Sequence, residues 1–261
     1  MRVVRLVLLC LVVYAVAVVV LFPAAPVIEK IKPQLQPLAI SGVSGKLYKG
    51  TVANVVSTDD LLPLELSDVK WTFAPLKLLK GTGAAIKFSA LGGGGTGDVL
   101  RTWGGDLAID NVEIDIDAPE LAAFLPVPIA TFAGKIRGEF AEARLVNEQL
   151  TRLLGVLRWN NANIDTNVFG PQLQIALGTL SIDIDPVDAG AHEAKVSANG
   201  GDITADGSVN VGANGDFDLN IVLTPSSNTP RELVDHLKRT TRPEAGGRYR
   251  WQQTGNVNRL L

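Results

Sequence analysis

The sequence predicts a mainly β protein: one N-terminal transmembrane helix followed by an antiparallel, internally repeated, curved β-sheet domain with one or two short helices. Three observations carry this. An apolar run opens the chain. From Ile40 onward, apolar and polar residues alternate in short segments, the period of strands with one wet face. Turn residues separate these segments, and the chain holds 26 glycines, which suits many strands joined by tight turns.

The run from Leu6 to Phe22 spans about 17 residues, near the lower limit for crossing a bilayer. Leu6, Leu9, Val13, Val16, Val20 and Phe22 are its anchoring side chains, and no charge interrupts it after Arg5. Val3 and Val4 extend it if Arg5 snorkels to the headgroups. A cleaved signal peptide has the same basic start, but this apolar core is long for that class. The following Phe22-Pro23-Ala24-Ala25-Pro26 offers no clean small-x-small cleavage site. Lysines and arginines nearly balance across the run, so charge gives only a mild vote for a cytoplasmic N-terminus.

Pro23, Pro26, Pro33 and Pro37 mark a linker, with a short amphipathic helix or an extended spacer within it. The domain plan is therefore 1–22 as start and anchor, 23–39 as Pro-rich linker, and 40–261 as the β-rich domain. Strand patterns include Leu64–Phe73, Asp106–Asp110, Glu113–Asp117, Leu180–Asp185 and Asp216–Leu223. Asn199-Gly200-Gly201-Asp202, Asp206-Gly207 and Asn214-Gly215 read as turns of a hairpin meander. Helices are expected over Pro119–Leu125 and after Thr229-Pro230-Arg231-Glu232, a capping box with Pro at the first helical position. Gly45–Gly50 precedes Trp71 as Gly134–Gly138 precedes Trp159, which suggests halves at about 40–125 and 126–261.

The composition argues against several chemistries. A net charge of −3 offers no broad basic surface for nucleic acid. Cys10 is the single cysteine and lies in the apolar run, so packing rather than disulfides must hold the domain. Asp106, Asp110, Asp115, Asp117, Asp183, Asp185, Asp216 and Asp218 sit mostly at every second residue. That spacing puts them on a solvated strand face, not in a facing catalytic pair. His192 and His236 are far apart and lack a cysteine partner, against zinc. His236 is expected at the surface of the C-terminal helix. The run Leu91–Asp98 lacks the lysine of a phosphate loop and reads as a hairpin loop. Trp71, Trp103, Trp159 and Trp251 read mainly as packing residues, with room for one or two at an interaction surface. No catalytic, cofactor or metal residue is assigned.

Several motifs stand in a fixed order: Gly42–Gly50 with Gly45, Tyr48 and Gly50; Trp71-x-x-x-Pro75 ending at Gly81; the strand reaching Gly138; Gly155-x-x-x-Trp159; Phe169-Gly170; and Gly247-x-Tyr249. Together they resemble the protein N family of the type II secretion system, nearly end to end. That family usually carries Trp where Tyr48 stands. The resemblance implies an inner-membrane location, a periplasmic domain, a role in exporting folded proteins, and other secretion components as partners. It implies no enzyme activity and no cofactor. The pattern is also similar to AsmA-like proteins, which leaves a periplasmic lipid- or hydrophobe-binding groove as the alternative. A closed, packed core would favour a docking scaffold, and a continuous open apolar trough would favour lipid.

Overall fold

A computed structural model describes residues 7, 10, 14, 21–36, 38–57, 65–124, 130–147, 149–166, 173–188 and 190–257. Helix α1 (Ala24–Ile31) leads into a 3-10 turn, Lys32–Leu35. Fourteen strands follow: β1 (Leu38–Lys46), β2 (Lys49–Ser57), β3 (Glu65–Phe73), β4 (Gly81–Ala90), β5 (Gly93–Thr102), β6 (Leu107–Asp117), β7 (Ala130–Val146), β8 (Gln149–Thr166), β9 (Leu173–Asp188), β10 (Ala191–Asn199), β11 (Ile203–Val211), β12 (Asp216–Pro225), β13 (Arg242–Glu244) and β14 (Arg248–Asn256). Helix α2 (Arg231–Thr240) lies between β12 and β13. All fourteen strands form one open sheet, in chain order except that β14 pairs with β12 and β13 forms the outer edge. Each described pairing is antiparallel, so the meander expectation holds at the level of fold class.

Alternation in the sequence becomes two faces. Ile116, Ile136, Trp159, Leu180, Ala198, Ala205, Leu223 and Tyr249 are cross-strand neighbours in one apolar row over eight strands. One residue away, Asp115, Arg137, Arg158, Ser181, Ser197, Asp206, Val222 and Arg250 form a largely polar row on the other face. Bulges keep the faces in phase. The segments Asp106–Asp110 and Glu113–Asp117, read as separate strands, fall (from Leu107 on) in the single strand β6, whose register with β5 shifts near Asn111. Asn111 has a φ of 51°, a left-handed conformation that asparagine tolerates better than most residues.

Helical pieces cover only part of the apolar face. Leu233 and Leu237 of α2 pack on Leu173, Ile175, Ile203 and Tyr249. The 3-10 turn Ala118–Phe124 places Ala118 and Leu121 over Ile136, Trp159 and Ala162. Elsewhere Ile86, Ile114, Ile182, Val196 and Val209 are only half-buried. The whole chain exposes 16566 Å², against about 11,000 Å² for a compact monomer of its mass. Single-layer construction accounts for much of that excess.

Three sequence expectations need correction. The run Leu91–Asp98 is not mainly loop: the turn is Leu91–Gly92, and Gly93–Gly97 belong to β5. The glycines let the strand pass under a ring, since a Cβ on Gly95 would lie 2.7 Å from the Phe88 ring. Asp206-Gly207 is not a turn but the middle of β11, paired with Val222 and Ile221. Only a few residues separate it from the turn at Gly200–Asp202, too few to complete another strand. The capping box at α2 does not form. Pro230 occupies the N-cap without a side-chain cap bond, and the Thr229 hydroxyl instead donates to the Asp202 carbonyl, tying α2 to the β10–β11 turn.

The anchor run lies largely outside the described residues. This includes Leu6, Leu9, Val13, Val16 and Val20. Val7, Cys10, Tyr14 and Leu21 are helical and exposed. Among the described residues, no helix is long and apolar enough to cross a membrane.

Candidate functional site at the hairpin rim

Because each strand returns beside the last, alternate connections leave the sheet at opposite ends. One end is covered: it carries the Ala118–Phe124 turn and α2 with their hydrophobic clusters. The other end is a rim formed by the β1–β2, β3–β4, β5–β6, β7–β8, β9–β10 and β11–β12 connections. Large apolar side chains stand exposed along it: Tyr48 at 37%, Leu79 at 90%, Trp103 at 68% and Val187 at 62%. Val146 and Leu150 flank the β7–β8 connection and are also exposed. A cleft of about 710 Å³ opens at the rim, lined by Leu100, Ala108, Arg144, Val146, Thr151 and Val187, among others.

The chain first meets the sheet at this rim, although β1 itself begins at the opposite end, where Leu38 pairs with Ser57. The Leu47 N–H donates to the Phe22 carbonyl at 3.0 Å. Pro23 forms an isolated bridge with Lys46. The last residues of the apolar run are thus fastened to the β1–β2 hairpin, beside Tyr48.

The motif residues divide into turn-makers and tryptophan seats. Gly45 has a φ of 93° just before the hairpin, and Tyr48 is in the hairpin turn itself. Gly50 is buried under Trp71: a Cβ there would lie 2.3 Å from the indole ring. Pro75 begins the 3-10 turn Pro75–Leu79, and Gly81 begins β4. Gly138 lies under the Ile114 side chain. Gly170 falls outside the described residues. Trp71 and Trp159 make the same contact. Each indole N–H donates at 2.9 Å to a carbonyl on the preceding side, from Leu47 and Ala133 respectively. In both cases that carbonyl lies three residues before the tryptophan's cross-strand partner, Gly50 or Ile136. Trp159 is buried, Trp71 half-buried, and Trp103 and Trp251 exposed.

The strand acids do not gather into a site. Asp115 pairs with Arg137 at 3.0 Å, Asp117 with Lys135 at 3.5 Å and Asp110 with Arg144 at 2.7 Å, all across neighbouring strands. Asp185 lies 3.8 Å from Lys195. Asp216 instead holds the β11–β12 turn, accepting from Asn214 and Asn256 at 2.6 Å each. Among the described residues, no three His, Cys, Asp or Glu side chains could hold a metal ion. His236 is half-buried in α2 rather than on its surface.

His192 is the buried titratable group near the rim. It lies between Pro186 and Val211, and its Nε2 has no hydrogen-bond partner. Burial pushes its pKa below the ordinary value. The unfolded chain therefore binds more protons than the folded one as pH falls. The stability contributed by neutral His192 is fully present above the unfolded pKa of about 6.5 and is lost as pH drops below it. Melting temperature should fall on acidification through that range, and His192→Phe should flatten the dependence. An unchanged slope in the variant would exclude His192 as its source.

Residues 36–252 match the family model for the type II secretion system (T2SS), protein N. The type II secretion system protein N of Vibrio cholerae serotype O1 is 25% identical over 254 residues, covering 92% of this chain and 93% of that protein. The corresponding protein of Aeromonas hydrophila is 23% identical over 257 residues, covering 95% and 96%. No solved structure matches the chain. The family model spans most of the sheet, from before β1 into β14, and on that ground the chain belongs to the type II secretion system protein N family.

Proposed function

We propose that the protein is an inner-membrane-anchored component of the type II secretion pathway. In this reading it acts as a docking or scaffold element, with residues 1–22 as cytoplasmic start and anchor, 23–39 as linker and 40–261 in the periplasm. The observation that carries it is the junction at Phe22–Leu47, which fastens the apolar run directly to the sheet. Docking has a physical means in the sheet's two edges. Beyond the Pro23–Lys46 bridge, β1 has a strand partner on one side only, and Leu38–Gly45 carries no charged side chain. β13 covers only Arg248–Arg250 of β14, so Trp251–Asn256 form a second open edge. Such edges accept an added strand from a partner through backbone hydrogen bonds.

Co-purification from a detergent-solubilised cell envelope tests the reading. Other type II secretion components should come through with the full chain, and proteins added at the β1 edge should be lost with Ile40→Pro. Recovery of the chain alone from native membranes would count against docking.

A groove for a lipid chain is the second reading, favoured by the half-buried middle of the apolar face. Phospholipid retained by the purified chain above detergent controls would support it.

A further inference from the structure

The geometry points to the hairpin rim as a membrane-docking surface: it rests on the anionic phospholipid headgroup layer of the membrane that holds residues 6–22. This rests on the anchoring reading above and adds what the sheet itself touches.

Three independent features converge on one rim. The chain arrives there from the apolar run, through Phe22–Leu47 and Pro23–Lys46. Exposed Tyr48, Leu79 and Trp103 stand on successive connections at that end; Tyr and Trp favour the boundary between hydrocarbon and water, and Leu favours the hydrocarbon itself. Lysines accompany them. Lys46, Lys49 and Lys80 are exposed, and none has an acidic partner among the described residues.

The charge arrangement supports an anionic occupant. Lys46 and Lys49 are direct cross-strand partners, as are Lys70 and Lys87 on the same face. Like charges in such positions repel. Farther along the sheet the same face mixes signs: Asp115–Arg137 and Asp117–Lys135 are opposite charges, while Glu113–Glu139 and Arg137–Arg158 are like-charge partners. The lysine pairs therefore stand out by being of one sign over four successive strands. The four lysines span three strand spacings, a patch about 15 Å across. Their long stems let the ammonium groups reach phosphates while the sheet stays in water. Among the described residues of the far end, Leu233 and Leu237 of α2 and Ala118 and Leu121 of the Ala118–Phe124 turn are taken up in the hydrophobic clusters, while Leu38 and Val56 are exposed.

The test uses the full chain in lipid nanodiscs with Cys10→Ser. Single spin labels go at Leu79→Cys and Gly104→Cys on the rim, and at Ala245→Cys in the β13–β14 turn at the far end. Labels at 79 and 104 should show headgroup-level accessibility to oxygen and to a water-soluble relaxing agent in discs containing phosphatidylglycerol, while the label at 245 stays aqueous. Each lysine near such a surface raises the docked population about fivefold. Reversing Lys46, Lys49 and Lys80 to Glu should therefore cut docking by about a hundredfold or more and return the rim labels to water.

Co-elution with the discs is read first. A chain that does not co-elute sinks the anchoring reading, and this proposal with it. A chain that co-elutes with its rim labels as aqueous as the label at 245 overturns the docked rim alone. Insertion that is equal in pure phosphatidylcholine and indifferent to charge reversal overturns headgroup recognition.

Discussion

Replacing Trp159 with alanine is expected to destabilise the sheet by about 3–5 kcal/mol, the range for deleting a large buried aromatic side chain. Trp159 is the largest side chain of the cluster beneath the Ala118–Phe124 turn. Its ring meets Phe132 edge-on at 5.9 Å. Its N–H satisfies the Ala133 carbonyl beside a bulge, where ladder pairing is interrupted. Trp159→Phe separates the two contributions: it keeps most of the packing but leaves that carbonyl unpaired, for a cost of about 1–3 kcal/mol. Trp71→Ala should cost less than Trp159→Ala, because Trp71 is only half-buried whereas Trp159 is buried. Thermal and urea unfolding of the three variants in matched detergent measures the order. If Trp71→Ala proves as costly as Trp159→Ala, burial under the 3-10 turn is not what stabilises this region.

Exchanging residues 1–22 for a cleavable export signal is expected to abolish secretion, while the strand acids tolerate neutralisation. Tethering to a surface raises the effective concentration near membrane partners, and the resulting avidity commonly amounts to 10²–10⁴-fold or about 3–5 kcal/mol. Asp115 is an exposed cross-strand partner, so Asp115→Asn should alter stability by only about 0.5 kcal/mol. Asp183→Asn is expected to behave alike. The assay is secretion of a folded substrate by cells lacking the protein, complemented in turn by each variant at matched abundance. Loss of secretion with one folded Asp variant would overturn the non-enzymatic reading. Full secretion by the released domain would remove the anchor from the mechanism.

Much of the sheet was legible because strand alternation survives without tertiary information. Glu113-Ile114-Asp115-Ile116-Asp117 can bury one face in only one register. What escaped were the places where that period breaks. Asn111 inserts one residue into β6 with a left-handed backbone and so looked like a boundary between two strands. Gly93–Gly95 and Gly97 lack side chains to alternate, so a strand looked like a loop. The hairpin rim was hidden for another reason. Leu79 and Trp103 are far apart in sequence, and only the parity of the meander puts their connections at one end. The sequence offered one usable signal, apolar residues within turn segments where polar ones are usual, but isolated tryptophans more often signify packing.

The nearest-neighbour order of strands also bears on how the chain can acquire its fold. In a sandwich or closed barrel, early strands wait for late ones before their edges are satisfied. Here each strand through β12 needs only its predecessor as a template. Closing such short connections carries a small entropic cost. The sheet can therefore assemble vectorially, beginning with β1–β2 as the chain emerges from a ribosome or a translocation channel. Only the last step breaks the rule. β14 must pass β13 and α2 to reach β12, so the C-terminal α2 cluster sets with the final strand and leaves the incomplete sheet with a growing, unprotected edge until then.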